Sequence, residues 1–159
     1  MLLQKKTNSK TVKPPKPFVE IEVNSAYTIQ WKMLKGIGPV FANRICKFRN
    51  ILGGFYKLEQ LLEVYGMDSL RYEEIFPFLS LDRHLLRQIT LNNTTVQELK
   101  NHPYLSYHQA KAIMQFAKQH GPYQQLEDLL QIELIEPVDF RKIVPYLKLH
   151  ATAKDTVHN

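Results

Sequence analysis

With 159 residues, 44% of them hydrophobic, the chain has room for one medium or two small domains and the ordinary composition of a globular protein. Its formal charge of +6 is unevenly spread: Lys5, Lys6, Lys10, Lys13 and Lys16 precede Glu20 without one acid, and setting them aside leaves 16 basic residues facing 15 acidic ones. A nearly neutral body excludes net charge as an argument for nucleic-acid binding, which must rest on local patches. The single cysteine, Cys46, excludes an internal disulfide and a cysteine metal cage, and its place between Ile45 and Phe48 reads as a small core residue.

Met1-Leu2-Leu3-Gln4 runs directly into lysines, the wrong order and too short for a signal peptide, and no apolar run approaches the roughly 20 residues of a membrane span. The chain is expected either to be cytosolic or to begin downstream of a removed anchor. Lys13-Pro14-Pro15-Lys16-Pro17 has the composition of a semi-rigid spacer, so residues 1–17 read as a basic, proline-containing tail or linker.

From Ile21 the sequence repeats with a shift of 68: Asn24 falls on Asn92, Leu34 on His102, Ala42 on Ala110, Ile45 on Ile113, Gly53 on Gly121, Phe55 on Tyr123 and Pro77 on Pro145. A repeat of this length implies two copies of one domain, 18–80 and 87–149, joined by a linker at 81–86 and followed by a disordered tail at 150–159. In the first copy Ser25 is expected to cap a helix through Ile29, Trp31 and Leu34. Leu34-Lys35-Gly36-Ile37-Gly38-Pro39 then makes a tight hairpin, and Phe41, Ala42, Ile45 and Phe48 line one face of a second helix. Gly53-Gly54-Phe55 breaks the chain, Leu58 to Val64 forms a third helix, and Gly66-Met67-Asp68 turns into a fourth.

In the second copy Thr94 and Gln97 suggest a capping box, with helices over 96–101, 107–119 and 126–132 and a last one opened by Pro137. A weaker shift of 30 sets Gly36 on Gly66, Ile37 on Met67 and Ile45 on Ile75, so each domain is a pair of helix hairpins about a pseudo-two-fold axis. No segment shows sustained strand alternation. The expected fold is all-α, with four short helices per domain.

Gly36-Ile37-Gly38-Pro39 leaves backbone N–H groups free at the start of a helix, where the macrodipole also favours an anion. Lys32, Lys35, Arg44, Lys47 and Arg49 surround it in sequence with no acid between Trp31 and Asn50. That combination points to phosphate.

Val23-Asn24-Ser25-Ala26, the Gly-Ile-Gly hairpin, Phe48-Arg49, Gly53-Gly54-Phe55, Leu58-Glu59-Gln60-Leu61 and Val64-Tyr65-Gly66 together resemble the helix-hairpin-helix domain of the ComEA family of late-competence DNA receptors, and Thr94 to Ile135 follows the same plan. The resemblance implies non-catalytic, sequence-independent binding of double-stranded DNA through its backbone, in a membrane-associated protein of DNA uptake whose anchor is missing from this chain. Carried over, it assigns phosphate binding to Lys35, Gly36, Ile37, Gly38 and the amides of Val40 and Phe41, with Arg44 and Lys47 adding charge-assisted contacts. Ser106, His108, Lys111 and Lys118 form a secondary contact set in the second copy. There Tyr104 and Ser106 replace the glycines, and a tyrosine at a positive φ is strained; Glu73 and Glu74 follow the Gly66 hairpin and would repel DNA.

His102, His108 and His120 lack the spacing of metal ligands, and no cofactor or small-molecule substrate is indicated. The acids are scattered and no nucleophile arrangement or phosphate loop is visible, so catalysis is not expected. The alternative reading is a protein–protein interaction or oligomerisation module on a degenerate scaffold, presenting aromatics such as Tyr104 and Tyr107.

Overall fold

A computed structural model describes residues 19–152; the expected tail at 1–17, and the C-terminal one from residue 153, lie outside the described residues. One short two-stranded pairing closes each repeat. β1 (Ile21–Glu22) pairs in parallel with β2 (Leu79–Ser80), and β3 (Ile89–Thr90) with β4 (Leu147–Lys148), an offset of 68 at both partners. Between them the chain is helical, as expected: α1 (Thr28–Trp31), α2 (Pro39–Leu52) and α3 (Ser69–Ile75) in the first repeat, and α4 (Val96–Lys100), α5 (Tyr107–His120) and α6 (Pro137–Ile143) in the second.

All four hairpins share one hydrogen-bond pattern. Each buries a residue at every third position: Trp31, Leu34 and Ile37; Leu61, Val64 and Met67; Leu99, His102 and Leu105; Leu129, Ile132 and Ile135. In each triad the second amide donates to the first carbonyl and the third to the second, at 2.9–3.1 Å. This tight winding puts three side chains on one stripe and turns the chain back at once, which helices too short to stand alone require. Positive φ occurs at Gly36 (87°) and Gly66 (82°) but at no non-glycine residue among those described. The strain expected of Tyr104 is therefore absent: the third hairpin makes the same turn without a left-handed residue.

Asn24 and Asn92 tie the start of each repeat to its middle. Asn24 accepts from the Phe55 N–H (2.6 Å) and donates to the Phe55 carbonyl (2.9 Å); Asn92 does the same with Tyr123 at 2.8 and 2.9 Å. One amide side chain thus satisfies two backbone groups that the glycine break leaves unpaired.

Several local expectations shift by a residue or change type. Ser25 donates to Glu22 Oε2 (2.5 Å) instead of capping; α1 begins after Tyr27, whose N–H is taken by Gln30 Oε1 (2.8 Å). The cap of α4 is Thr95, accepting from the Glu98 N–H (3.1 Å), while Thr94 binds the Glu98 carboxylate. Leu58–Glu63 and Leu126–Gln131 are 3-10 segments, begun in register by Gln60 and Asp128 side chains that accept from the two amides at their N-terminal ends.

The two repeats are not beads on a string. One buried apolar cluster runs through both, and residues 81–86 lie against the first repeat: Leu86 packs on the core, Arg83 donates to the Tyr56 carbonyl (2.8 Å), and the Arg87 N–H donates to the Gly53 carbonyl (2.8 Å). A buried polar junction completes the contact. Gln60 Nε2 donates to the hydroxyls of Tyr104 and Tyr146, both at 2.8 Å, and those hydroxyls donate onward to Glu63 (2.9 Å) and to the Gly54 carbonyl (2.8 Å). Tyr104, expected as an exposed partner-binding aromatic, is half-buried here and serves this junction.

Candidate nucleic-acid interface

Each second helix of a hairpin starts with N–H groups that have no partner inside the helix. How the four starts are filled separates them. At α3 the Asp68 carboxylate accepts from the Arg71 N–H (2.8 Å) and lies 3.5 Å from the Arg71 guanidinium. At α5 the Ser106 hydroxyl accepts from the Gln109 N–H (3.1 Å) while Gln109 Oε1 takes the Ser106 N–H (2.9 Å). At α6 the start lies between two carboxylates, Glu136 and Asp139, the latter accepting from the Glu136 N–H (3.1 Å). At α2 the cap is Gly38, which has no side chain to offer, and Pro39 occupies the first helical position. The amides of Val40 and Phe41 therefore face outward with no internal acceptor, and a Cβ at Gly38 would meet nothing within 4 Å. The site is open.

Its basic surround is smaller than the sequence suggests. Lys32, Lys35 and Lys47 are exposed. Arg49 is half-buried and turned inward, donating to the carbonyls of Val23 (3.3 Å) and Ala26 (2.5 Å), so it staples α2 to the loop before α1. Arg44 leaves the first hairpin for the second: Nη1 donates to the Tyr65 carbonyl (3.2 Å) and lies 3.1 Å from a Cβ placed on Gly66. Its pseudo-symmetric counterpart does the converse. Glu74 Oε2 lies 3.8 Å from a Cβ placed on Gly36, so the surround that is acid-free in sequence contains a carboxylate in space.

Arg44 and Arg71 also bracket an aromatic pair that sequence reasoning overlooked. The Arg44 Cζ stands 4.8 Å from the Tyr65 ring centroid and 5.5 Å from that of Phe41, and the Arg71 Cζ stands 4.3 Å from Phe41. The row Tyr65, Arg44, Phe41, Arg71 joins the two hairpins of the first repeat. The 30-residue shift held the signal, since it superposes Phe41 on Arg71, Arg44 on Glu74 and Lys35 on Tyr65.

In the second repeat Ser106 is spent on its own cap, His108 is exposed, and Lys111 and Lys118 border an open groove with Val96, Met114 and Gln115. Among the described residues no group of three His, Cys, Asp or Glu side chains is placed to hold a metal ion, and no helix is long and apolar enough to cross a membrane.

The helix-hairpin-helix motif family matches residues 16–80 and again residues 86–148, most of the chain. The chain belongs to the helix-hairpin-helix family. Members of this family are typically nucleic-acid binders, which agrees with an open helix start between basic side chains. The chain is also similar to endonuclease/exonuclease/phosphatase family domain-containing protein 1 of Xenopus laevis (23% identity, covering 87% of this chain and 29% of that protein) and of Homo sapiens (25%, covering 71% and 25%). It thus spans between a quarter and three tenths of the length of these relatives. No solved structure matches significantly. Neither the family nor the relatives carry a competence designation, so the ComEA resemblance stands only as far as the helix-hairpin-helix motif itself.

Proposed function

We propose that this helix-hairpin-helix protein is a sequence-independent DNA-binding module that holds backbone phosphates of a duplex at the start of α2 without itself carrying out catalysis. The observation that carries this reading is the difference among the four hairpins: α3 and α5 are capped by Asp68 and Ser106, the α6 start carries the carboxylates of Glu136 and Asp139, and α2 starts at Gly38 with neither a cap nor an acid, beside Lys35 and Lys47. Gly36 and Gly38 let a phosphate reach the amides of Val40 and Phe41, and contacts of this kind position a duplex without reading its bases. Arg44 from α2 and Arg71 from α3 supply charge where the two hairpins meet, so the grip spans both hairpins of the first repeat. Ser106, His108, Lys111 and Lys118 give at most an extension of the footprint; the second repeat chiefly buttresses the first through Gln60, Tyr104 and Tyr146.

The competence role implied by the ComEA resemblance has no support from the relatives. Their name speaks of an endonuclease/exonuclease/phosphatase domain, which suits a DNA-holding module within a nucleic-acid-processing protein. The test is salt. Fluorescence anisotropy on arbitrary duplexes should give equal affinities across sequences and a slope of log K against log salt of about −2 to −3, for two or three phosphates neutralised. A slope near zero, or no duplex binding, overturns the reading in favour of a protein-binding module.

A further inference from the structure

Phosphate binding leaves one feature of the first repeat unexplained. Val40 and Leu70 are the second residues of α2 and α3, superposed by the 30-residue shift, and they are 60% and 75% exposed; Tyr65, at the register of Lys35, is 80% exposed. The two helix starts adjoin, because Arg71, next to Leu70, stacks on Phe41, next to Val40. Three large apolar side chains therefore stand bare along the row of Arg44 and Arg71. The second repeat keeps only one of the three: the corresponding positions are His108, Val138, which is 45% exposed, and Glu133.

We propose that Val40, Leu70 and Tyr65 form an apolar ridge that enters the base stack between the two backbone contacts, and that the preferred substrate is DNA whose stacking is already interrupted, at a nick or a short gap. This rests on the DNA-binding reading above. Phosphates call for donors and give apolar side chains nothing to bury against, whereas exposed base faces do. Apolar wedges enter between base steps at the expense of unstacking them, and aromatic rings stack on any free base irrespective of sequence. A gap removes most of that expense. The guanidiniums beside the ridge match a partner that is anionic outside and apolar within, which favours nucleic acid over an apolar protein surface.

The experiment compares an intact duplex with the same duplex bearing a short gap, using the full chain and 2-aminopurine at the gap edge. Wild type should bind the gapped duplex about tenfold more tightly and raise the 2-aminopurine fluorescence as the stack opens. Leu70→Ser, and separately Tyr65→Ser, should lose that preference and the fluorescence change while keeping affinity for the intact duplex. Circular dichroism verifies that these exposed substitutions leave the fold helical. Equal affinity for both duplexes, or a preference that survives in the serine variants, overturns the ridge and leaves the phosphate site standing. Failure to bind either duplex overturns both.

Discussion

His102 Nε2 lies 2.8 Å from the Leu52 carbonyl, a bond between the third hairpin and the last residue of α2, at the position where the first hairpin has Leu34. The Nδ1 atom faces the Tyr104 N–H at 3.2 Å and the ring lies against Tyr146, 4.7 Å between centroids. The two contacts assign the tautomer: Nε2 carries the proton and donates, and Nδ1 accepts.

Burial holds this imidazole neutral, lowering its pKa from 6.5 to about 4, with the Leu52 carbonyl opposing the shift. The unfolded chain therefore binds the proton more readily than the folded one between those values, and stability falls as pH falls through that window. Denaturation at about pH 5 should show about 2 kcal/mol less stability than at neutral pH from this residue. His102→Leu, which restores the residue type of the first repeat, should flatten that part of the profile.

Gln60 joins the repeats through two tyrosine hydroxyls and also takes the amides of Tyr56 and Lys57. Both hydroxyls keep another partner if it is lost, so Gln60→Ala should cost about 2–3 kcal/mol, less than the sum of its bonds. Trp31, the only tryptophan, is fully buried in the first repeat and reports on that repeat alone. In wild type, urea transitions followed by Trp31 fluorescence and by far-ultraviolet circular dichroism should coincide. In Gln60→Ala they should separate, because the repeats no longer share the junction.

The sequence made the repeats, the helices and the distinct character of the Gly36 hairpin legible, because glycines, prolines and the 68-residue shift are local or periodic signals. What crosses between elements was not legible. Arg49 reads as part of the basic surround of the hairpin until its guanidinium is seen on the carbonyls of Val23 and Ala26. Tyr104 reads as an exposed aromatic until Gln60 is placed against it. The exchange of Arg44 and Glu74 between hairpins depends on the pseudo-two-fold packing of α2 on α3, which brings residues 30 apart to each other's glycine.

The two glycines of the first hairpin separate folding from binding. Gly36 has φ 87°, a conformation that strains any side chain, so Gly36→Val should lower stability by about 1–2 kcal/mol along with DNA affinity. Gly38 has φ −88° and open space where a Cβ would stand. Gly38→Val should keep the thermal transition within a few degrees yet reduce duplex affinity about tenfold, by holding a phosphate off the Val40 and Phe41 amides. Unchanged binding by Gly38→Val would place the phosphate elsewhere. Arg49→Ala is the contrasting control: it should lose stability, and its affinity should track only the folded fraction.

Glu74 sits where an incoming phosphate would feel it, beside Gly36 and on an exposed face. Its carboxylate opposes the charge that the α2 start attracts, so Glu74→Gln should strengthen duplex binding about two- to fivefold at low salt. The gain should shrink as salt rises, since an exposed charge is screened beyond roughly 10 Å at moderate ionic strength. The same substitution at Glu127, an exposed acid of the second repeat, should change nothing if the first repeat carries the site. Anisotropy titrations of both variants at two salt concentrations decide this, and an equal gain from both would show that DNA senses only the net charge of the protein.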